Sequence, residues 1–337
     1  MEHPKIKHVL SRALQLSEKA RVLAGKYGYR PFMVQRYLEI LGEEETLRLL
    51  DANEKPLPVT LRCNSHLIDC KDLKERLERK GFRLEPLREF SPHGFIVRRA
   101  PYPAGATHEY LQGYYYLQGP VSMSIVHAMD LDVDGPLLDM AAAPGGKATQ
   151  ILQLTGDSRL LVAVEKSRRR IKALRSNLQR MRFKNYIVYR LDSRRLPFNN
   201  AFASVLLDAP STGEGIIRKD PRRKTSRSPE DLLEIHRLQV EMLHRALDYV
   251  RPGGSVLYAT CSLGPEEGEL VIDTILRLRG DVTIDPISLP ASEPPTEYFG
   301  VKLDSRVSLC RRFWPHRQGY EGFFACKVRR VGRQTHA

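Results

Sequence analysis

From Pro136 onward the chain keeps returning to one pattern: a short apolar run that stops on a polar side chain, then a loop, then a stretch with helical spacing. PLLDM, RLLVAVE, YIVYRLD and SVLLDAP close on or beside Asp139, Glu165, Asp192 and Asp208, and SVLYATCS closes on Thr260, Cys261 and Ser262. Between them lie KATQILQLT, the basic KSRRRIKALRSNLQRM and the amphipathic EDLLEIHRLQVEMLHRALDYV, which Arg251-Pro252-Gly253-Gly254 brings to an end. GELVIDTILRLRG adds a further helix. Apolar strands alternating with helices call for an α/β fold with a mostly parallel, doubly wound sheet, because each crossover lays a helix on one face. The closing segment, 297 to 330, ends in EGFFACKVRR and reads as an antiparallel hairpin at one edge.

The upstream part has a different rhythm. Apolar positions recur every three or four residues from about 8 to 52, as in MVQRYLEILGEEETLRLL, so residues 1–52 form a helical region. LPVTLRCN reads as a strand, KDLKERLERKG as a helix closed by Gly81, and HGFIVRRAP as a second strand, giving a small mixed unit over 53–117. The larger unit runs from 118 to 331. Within EYLQGYYYLQ, four tyrosines either stack bases or pack between the units.

Lysine and arginine outnumber acids 54 to 40, a net charge of +14, which favours a polyanionic partner. The surplus concentrates in 166–184, 218–227 and 310–317. No apolar run approaches the roughly 18 to 20 residues of a membrane span, and the amino terminus lacks a signal-peptide core. A cytoplasmic monomer is the expectation. The five cysteines show no zinc-like spacing, so no metal site is expected, and Cys63, Cys70, Cys310 and Cys326 read as small core residues without disulfides.

In doubly wound sheets ligands sit at the carboxyl ends of the strands. There the first strand runs into Ala141-Ala142-Ala143-Pro144-Gly145-Gly146-Lys147, whose small residues admit a ligand close to the backbone. A phosphate-binding loop is excluded, since it needs Gly at 141 and Ser or Thr at 148, and both are alanine. The dinucleotide fingerprint is absent too. Glu165, Asp192 and Asp208 at successive strand ends suit a nucleoside without phosphate, and S-adenosylmethionine fits: its ribose offers hydroxyls and its cationic groups favour carboxylates. Asp208 and Cys261 end strands expected to be neighbours. A thiol there, beside Lys147, is expected to have a lowered pKa. Its addition to carbon 6 of a pyrimidine would make carbon 5 nucleophilic enough to take a methyl group, with Asp208 on the ring edge. A buried core thiol is the competing reading of Cys261.

DMAAAPGGKATQ, VLLDAPSTGEGIIRKDP and YATCSLGPEEGE resemble the three main motifs of the Nop2/Sun RNA cytosine-5 methyltransferases. LPVTLRCNS, GATHEYLQGYYYLQGP and FWPHRQGYEGFFACKVRR resemble the family's upstream, lead-in and closing segments, so the likeness runs from about residue 30 to 330. The lead-in is most similar to archaeal tRNA enzymes. The resemblance implies a Rossmann-like class I methyltransferase sheet and S-adenosylmethionine held by Ala141 to Lys147, Glu165, Asp192 and Asp208. It further implies that Cys261 is the nucleophile, that Lys147 and Asp208 touch the cytosine, that the smaller N-terminal α/β unit binds RNA, and that the substrate is tRNA, with ribosomal RNA as the alternative. A non-catalytic RNA-binding or assembly protein is the rival reading. Ala141 departs from the cysteine of many relatives, a change that a backbone-lined loop tolerates. Ser211 departs more seriously, standing where the family usually has a second cysteine that assists product release. A natural variant with another release route, an engineered trap for the adduct, and a chain that turns over slowly or not at all all remain open.

Overall fold

The computed structural model describes residues 1–332. Three helices open the chain: α1 (Ile6–Ala13), α2 (Glu18–Tyr27) and α3 (Pro31–Asn53). Ser17 caps α2 by accepting from the Ala20 N–H. Pro31 starts α3, and Gly42 at φ 75° kinks it within LGEEE. These helices are not a separate layer. Ile6, Met33, Tyr37 and Leu49 share one buried cluster with Leu138, Val205 and Val256 of the large sheet.

A four-stranded antiparallel sheet follows, built from β1 (Thr60–Cys63), β2 (Arg83–Pro86), β3 (Gly94–Arg99) and β4 (Tyr115–Leu117) in the order β2-β3-β1-β4, with α4 (Cys70–Glu78) against it. The segment 83–86, flanked by charge, and the aromatic lead-in are thus both strands. Tyr115 is buried in the core of this sheet, its hydroxyl bonded to Thr107 and the Ala104 carbonyl. Tyr116 is held beneath Arg62 and Arg180. Packing, not base stacking, occupies these two rings. The short α5 (His108–Leu111) and α6 (Pro120–Val126) lead into the large sheet.

That sheet contains β5 (Leu137–Asp139), β6 (Leu161–Val164), β7 (Tyr186–Tyr189), β8 (Phe202–Asp208) and β9 (Val250–Thr260), all parallel, interleaved with α7 (Gly146–Leu154), α8 (Arg170–Arg180) and α9 (Pro229–Tyr249). After α10 (Glu269–Leu278) come β10 (Val282–Asp285), a small hairpin of β11 (Glu297–Tyr298) and β12 (Val301–Lys302), β13 (Arg311–Phe313), α11 (Pro315–Gln318) and β14 (Phe323–Arg330). The order is β10-β14-β9-β8-β5-β6-β7, with β13 also on β14. The antiparallel part is therefore larger than one terminal hairpin. β14 inserts between β9 and β10, while the sequence 297–302 pairs only with itself.

The cysteine expectation is corrected. Cys63 is bonded to Cys70 and Cys310 to Cys326. Cys63 ends β1 just where the chain turns into α4, with 5.8 Å between the two Cα atoms. The register of β13 on β14, Arg311 opposite Ala325, carries Cys310 up to Cys326. Spacing along the chain conceals such a cross-strand pair. Among the described residues no helix is long and apolar enough to cross a membrane.

Candidate active site

β8 lies between β5 and β9, so the loops after these three strands leave the sheet side by side. In register, Asp208 stands opposite Ala259 and Leu206 opposite Asp139. The consequence is a compact cluster. Cys261 Sγ lies 3.1 Å from Ser211 Oγ. Lys147, on the first turn of α7, donates to Asp208 Oδ2 at 2.7 Å, with its ammonium 5.2 Å from the centre of the Phe323 ring. Cys261 and Ser211 thus meet as the strand order requires, and Lys147 joins Asp208 beside them.

Two cavities flank Ala141. The smaller, about 180 Å³, is lined by Asp139, Ala141, Ala142, Ala143, Pro144, Gly146, Lys147 and Asp208, with Tyr116 and Gln118 on the facing wall. The larger, about 430 Å³, is lined by Ala141, Glu165, Arg170, Asp192, Pro210 and Met242. Gly145 shapes the turn rather than lining either; its φ of 111° is left-handed, and a Cβ there would come 3.3 Å from Leu174. A Cβ on Gly146 would press on the Tyr116 ring at 3.3 Å. The loop is pinned by Asn177, which donates to the Pro144 carbonyl at 2.9 Å, and by Arg170 on the Ala143 carbonyl.

The fit to a nucleoside with an aminoacyl arm can be tested on these residues. One Glu165 oxygen accepts the Ser167 N–H at 2.7 Å, and the other has only Arg170 at 3.6 Å, which leaves it able to accept a sugar hydroxyl. Asp192 lines the same cavity, but Arg194 and Lys166 already engage its carboxylate, and Arg194 holds its pKa far below the ordinary range. Asp192 therefore shapes the wall more than it offers a free acceptor. The two cavities, which share Ala141 in their walls, suit a ligand with a sugar and base in one and a short charged arm in the other.

Charges here depart from the sequence reading. The Cys261 thiol is pushed up, not down: burial is the main cause and Asp208 adds to it, while the Ser211 bond and Lys147 act in the other direction. Lys147 fails to dominate because its charge is already paired with Asp208. Asp139 is pushed up to about 7 by burial, against the pull of the Ala141 N–H. Tyr116 and Gln118, which line the smaller cavity, were missed as site residues. Their only signal was the aromatic lead-in, which reads as base stacking or as packing between the units. Glu267 was missed as well; its carboxylate is buried beneath the Ser211 and Cys261 loops.

A profile described as 16S rRNA methyltransferase RsmB/F matches residues 126–329, and one described as the N-terminal domain of 16S rRNA methyltransferase RsmF matches 31–120. The chain belongs to the RsmB/F, or Nop2/Sun, family of RNA cytosine-5 methyltransferases. It is similar to a 28S rRNA (cytosine-C(5))-methyltransferase of Mus musculus, 37% identical over 336 residues, covering 97% of this chain and 42% of that protein. A ribosomal RNA small subunit methyltransferase F of Serratia proteamaculans is 33% identical over 83% of this chain and 58% of its own length. The chain thus spans about half the length of the curated relatives it matches. A solved methyltransferase homolog protein from Pyrococcus horikoshii superposes with a TM-score of 0.84 at 33% identity, covering 94% of this chain and all of that one. The RsmB/F family depends on S-adenosylmethionine, and the paired cavities fit that donor.

Proposed function

We propose that this chain methylates carbon 5 of cytosine in RNA, with Cys261 as nucleophile. The observation that carries the reading is the placement of Cys261 Sγ beside Ser211 and within electrostatic reach of the Lys147–Asp208 pair, which itself lines the smaller cavity. Ala141 to Lys147 would hold the aminoacyl arm of S-adenosylmethionine, and Glu165 its ribose. When bound, the donor supplies an electrophilic methyl group. Cys261 passes its proton to the neighbouring Asp208 carboxylate and its sulfur bonds to carbon 6, which leaves carbon 5 enamine-like. Asp208 and Lys147 face the ring edge, where charge develops as the sulfur adds. After transfer, a base (a neighbouring side chain or water) takes the carbon 5 proton, the C–H electrons re-form the carbon 5–carbon 6 double bond, and the C–S bond breaks to release Cys261 as thiolate. Ser211 stands where the family usually places a thiol for this step. Its hydroxyl is a far poorer base than a thiolate, whose parent pKa is near ~8.5, so product leaves slowly and an adduct accumulates.

Ribosomal RNA is the substrate class this reading favours. Relatives in mouse and Serratia carry ribosomal names. Incubating the chain with labelled S-adenosylmethionine and total host RNA, followed by bisulfite sequencing, should place the label on cytosine 5 of ribosomal RNA. Cys261→Ala should lower incorporation by at least about a thousandfold. Label on tRNA would restore the first substrate expectation. Transfer surviving in Cys261→Ala would remove the covalent mechanism.

A further inference from the structure

We infer that Arg36, Glu266 and Glu267 act as positioning residues that lock the Ser211 loop to the Cys261 loop, so that the amino-terminal helix α3 is part of the reaction machinery. The inference rests on the reading of Cys261 as nucleophile and extends it to residues that touch no substrate. Glu267 is the inner lock. Its carboxylate accepts from the Thr212 N–H at 2.8 Å, the Thr212 hydroxyl, the Ser262 hydroxyl at 2.6 Å and the Gln239 side chain at 3.1 Å. Thr212 follows Ser211 in the chain and Ser262 follows Cys261, so one buried carboxylate grips the neighbour of each reacting residue. The Gly215 N–H donates to the Cys261 carbonyl at 3.0 Å and joins the loops a second time.

Arg36 is the outer lock. Its fork reaches both oxygens of Glu266, at 3.1 and 2.6 Å, and Glu214 at 2.8 Å, while the Tyr37 hydroxyl takes the other Glu214 oxygen at 3.2 Å. Glu214 belongs to the Ser211 loop and Glu266 to the Cys261 loop. All three charged groups are buried, and a Cβ on Gly264 would fall 1.8 Å from the guanidinium, so the loop backbone is shaped around it. Only a planar cation with several fixed donors can join two carboxylates in this way. A displacement of about 1 Å at such a site is enough to cost on the order of a hundredfold in rate.

The test compares Thr212→Val, which deletes the hydroxyl bond to Glu267 at nearly constant volume, with Thr212→Ser, which keeps it. Thr212→Val should lower kcat about tenfold, with KM for RNA, the Kd for S-adenosylmethionine and the melting temperature nearly unchanged, and Thr212→Ser should restore kcat. Ser262→Ala removes the bond from the other loop and should give the same split; Arg36→Lys, unable to bridge both carboxylates, should lower kcat while donor binding persists. Unchanged kcat, equal losses in the Val and Ser variants, or losses that follow melting temperature and donor affinity would overturn the inference. Wild type and Cys261→Ala run alongside report separately on the nucleophile itself.

Discussion

At Ser211 the family resemblance implies a second cysteine, and the contact of this serine with Cys261 gives the difference a measurable consequence. A thiol in its place would be a better base and exchange partner for the adduct. Ser211→Cys should therefore raise turnover by about tenfold or more and reduce the RNA adduct seen on denaturing gels. If both stay as in wild type, position 211 has no part in release. Asp139 supplies a test of the buried end of β5. Its folded pKa of about 7 lies above the ordinary 3.8, so the folded chain holds a proton that the unfolded chain has lost. Between those values stability falls as pH rises, because the folded state binds more protons. Asp139→Asn should thus raise the melting temperature more at about pH 8.5 than at about pH 5, and an equal change at both would contradict the assignment. The carboxylate was visible in the sequence as a strand end. Its protonation was not, since burial depends on what packs over it.

At the level of elements, β5, β6, β8 and β9 and the helices between them were legible because long apolar runs have few other homes than a sheet covered on both faces. What failed were features set by register between distant strands. β14 reads as an edge because its sequence follows the last helix, yet it pairs with both β9 and β10. The Cys310–Cys326 disulfide arises in the same way, whereas Cys63–Cys70 closes the short turn from β1 into α4. Titration of the native chain should find a single reactive thiol, Cys261, and reduction under denaturing conditions should release five. Closing the loop between Cys310 and Cys326, 16 positions apart, should stabilise the chain by about 3 kcal/mol. Five free thiols in the native chain would remove both bonds.

Across the whole molecule, the +14 surplus is distributed less evenly than the sequence clusters suggest. Much of 218–227 is spent internally: Arg218 on the Lys55 and Pro56 carbonyls, Lys219 on Glu321, Arg222 on Asp220, and Lys224 on Glu54. Arg312 is buried against Glu269. By contrast Arg168, Arg169, Lys172 and Arg175 are exposed on and before α8, whose Ile171, Leu174 and Leu178 face inward. RNA should bind along this face. Lys172→Ala with Arg175→Ala should weaken binding to any RNA and lower the slope of log affinity against log salt by about 1 to 2. An unchanged slope would place the phosphates elsewhere.

The sequence by itself determined the class of sheet, the loops at its carboxyl ends, the family, and that the strands ending at Asp208 and before Cys261 are neighbours. These follow from local patterns: apolar runs, the residues that stop them, and the glycines that follow. Tertiary structure alone decided which charges are free, which cysteines are bonded, that the Cys261 thiol is raised, and that a helix from the amino terminus braces the loops around it. Each of these depends on desolvation or on which side chains the folded chain brings together, from the 7 positions between Cys63 and Cys70 to the 230 between Arg36 and Glu266, and neither is read from local pattern.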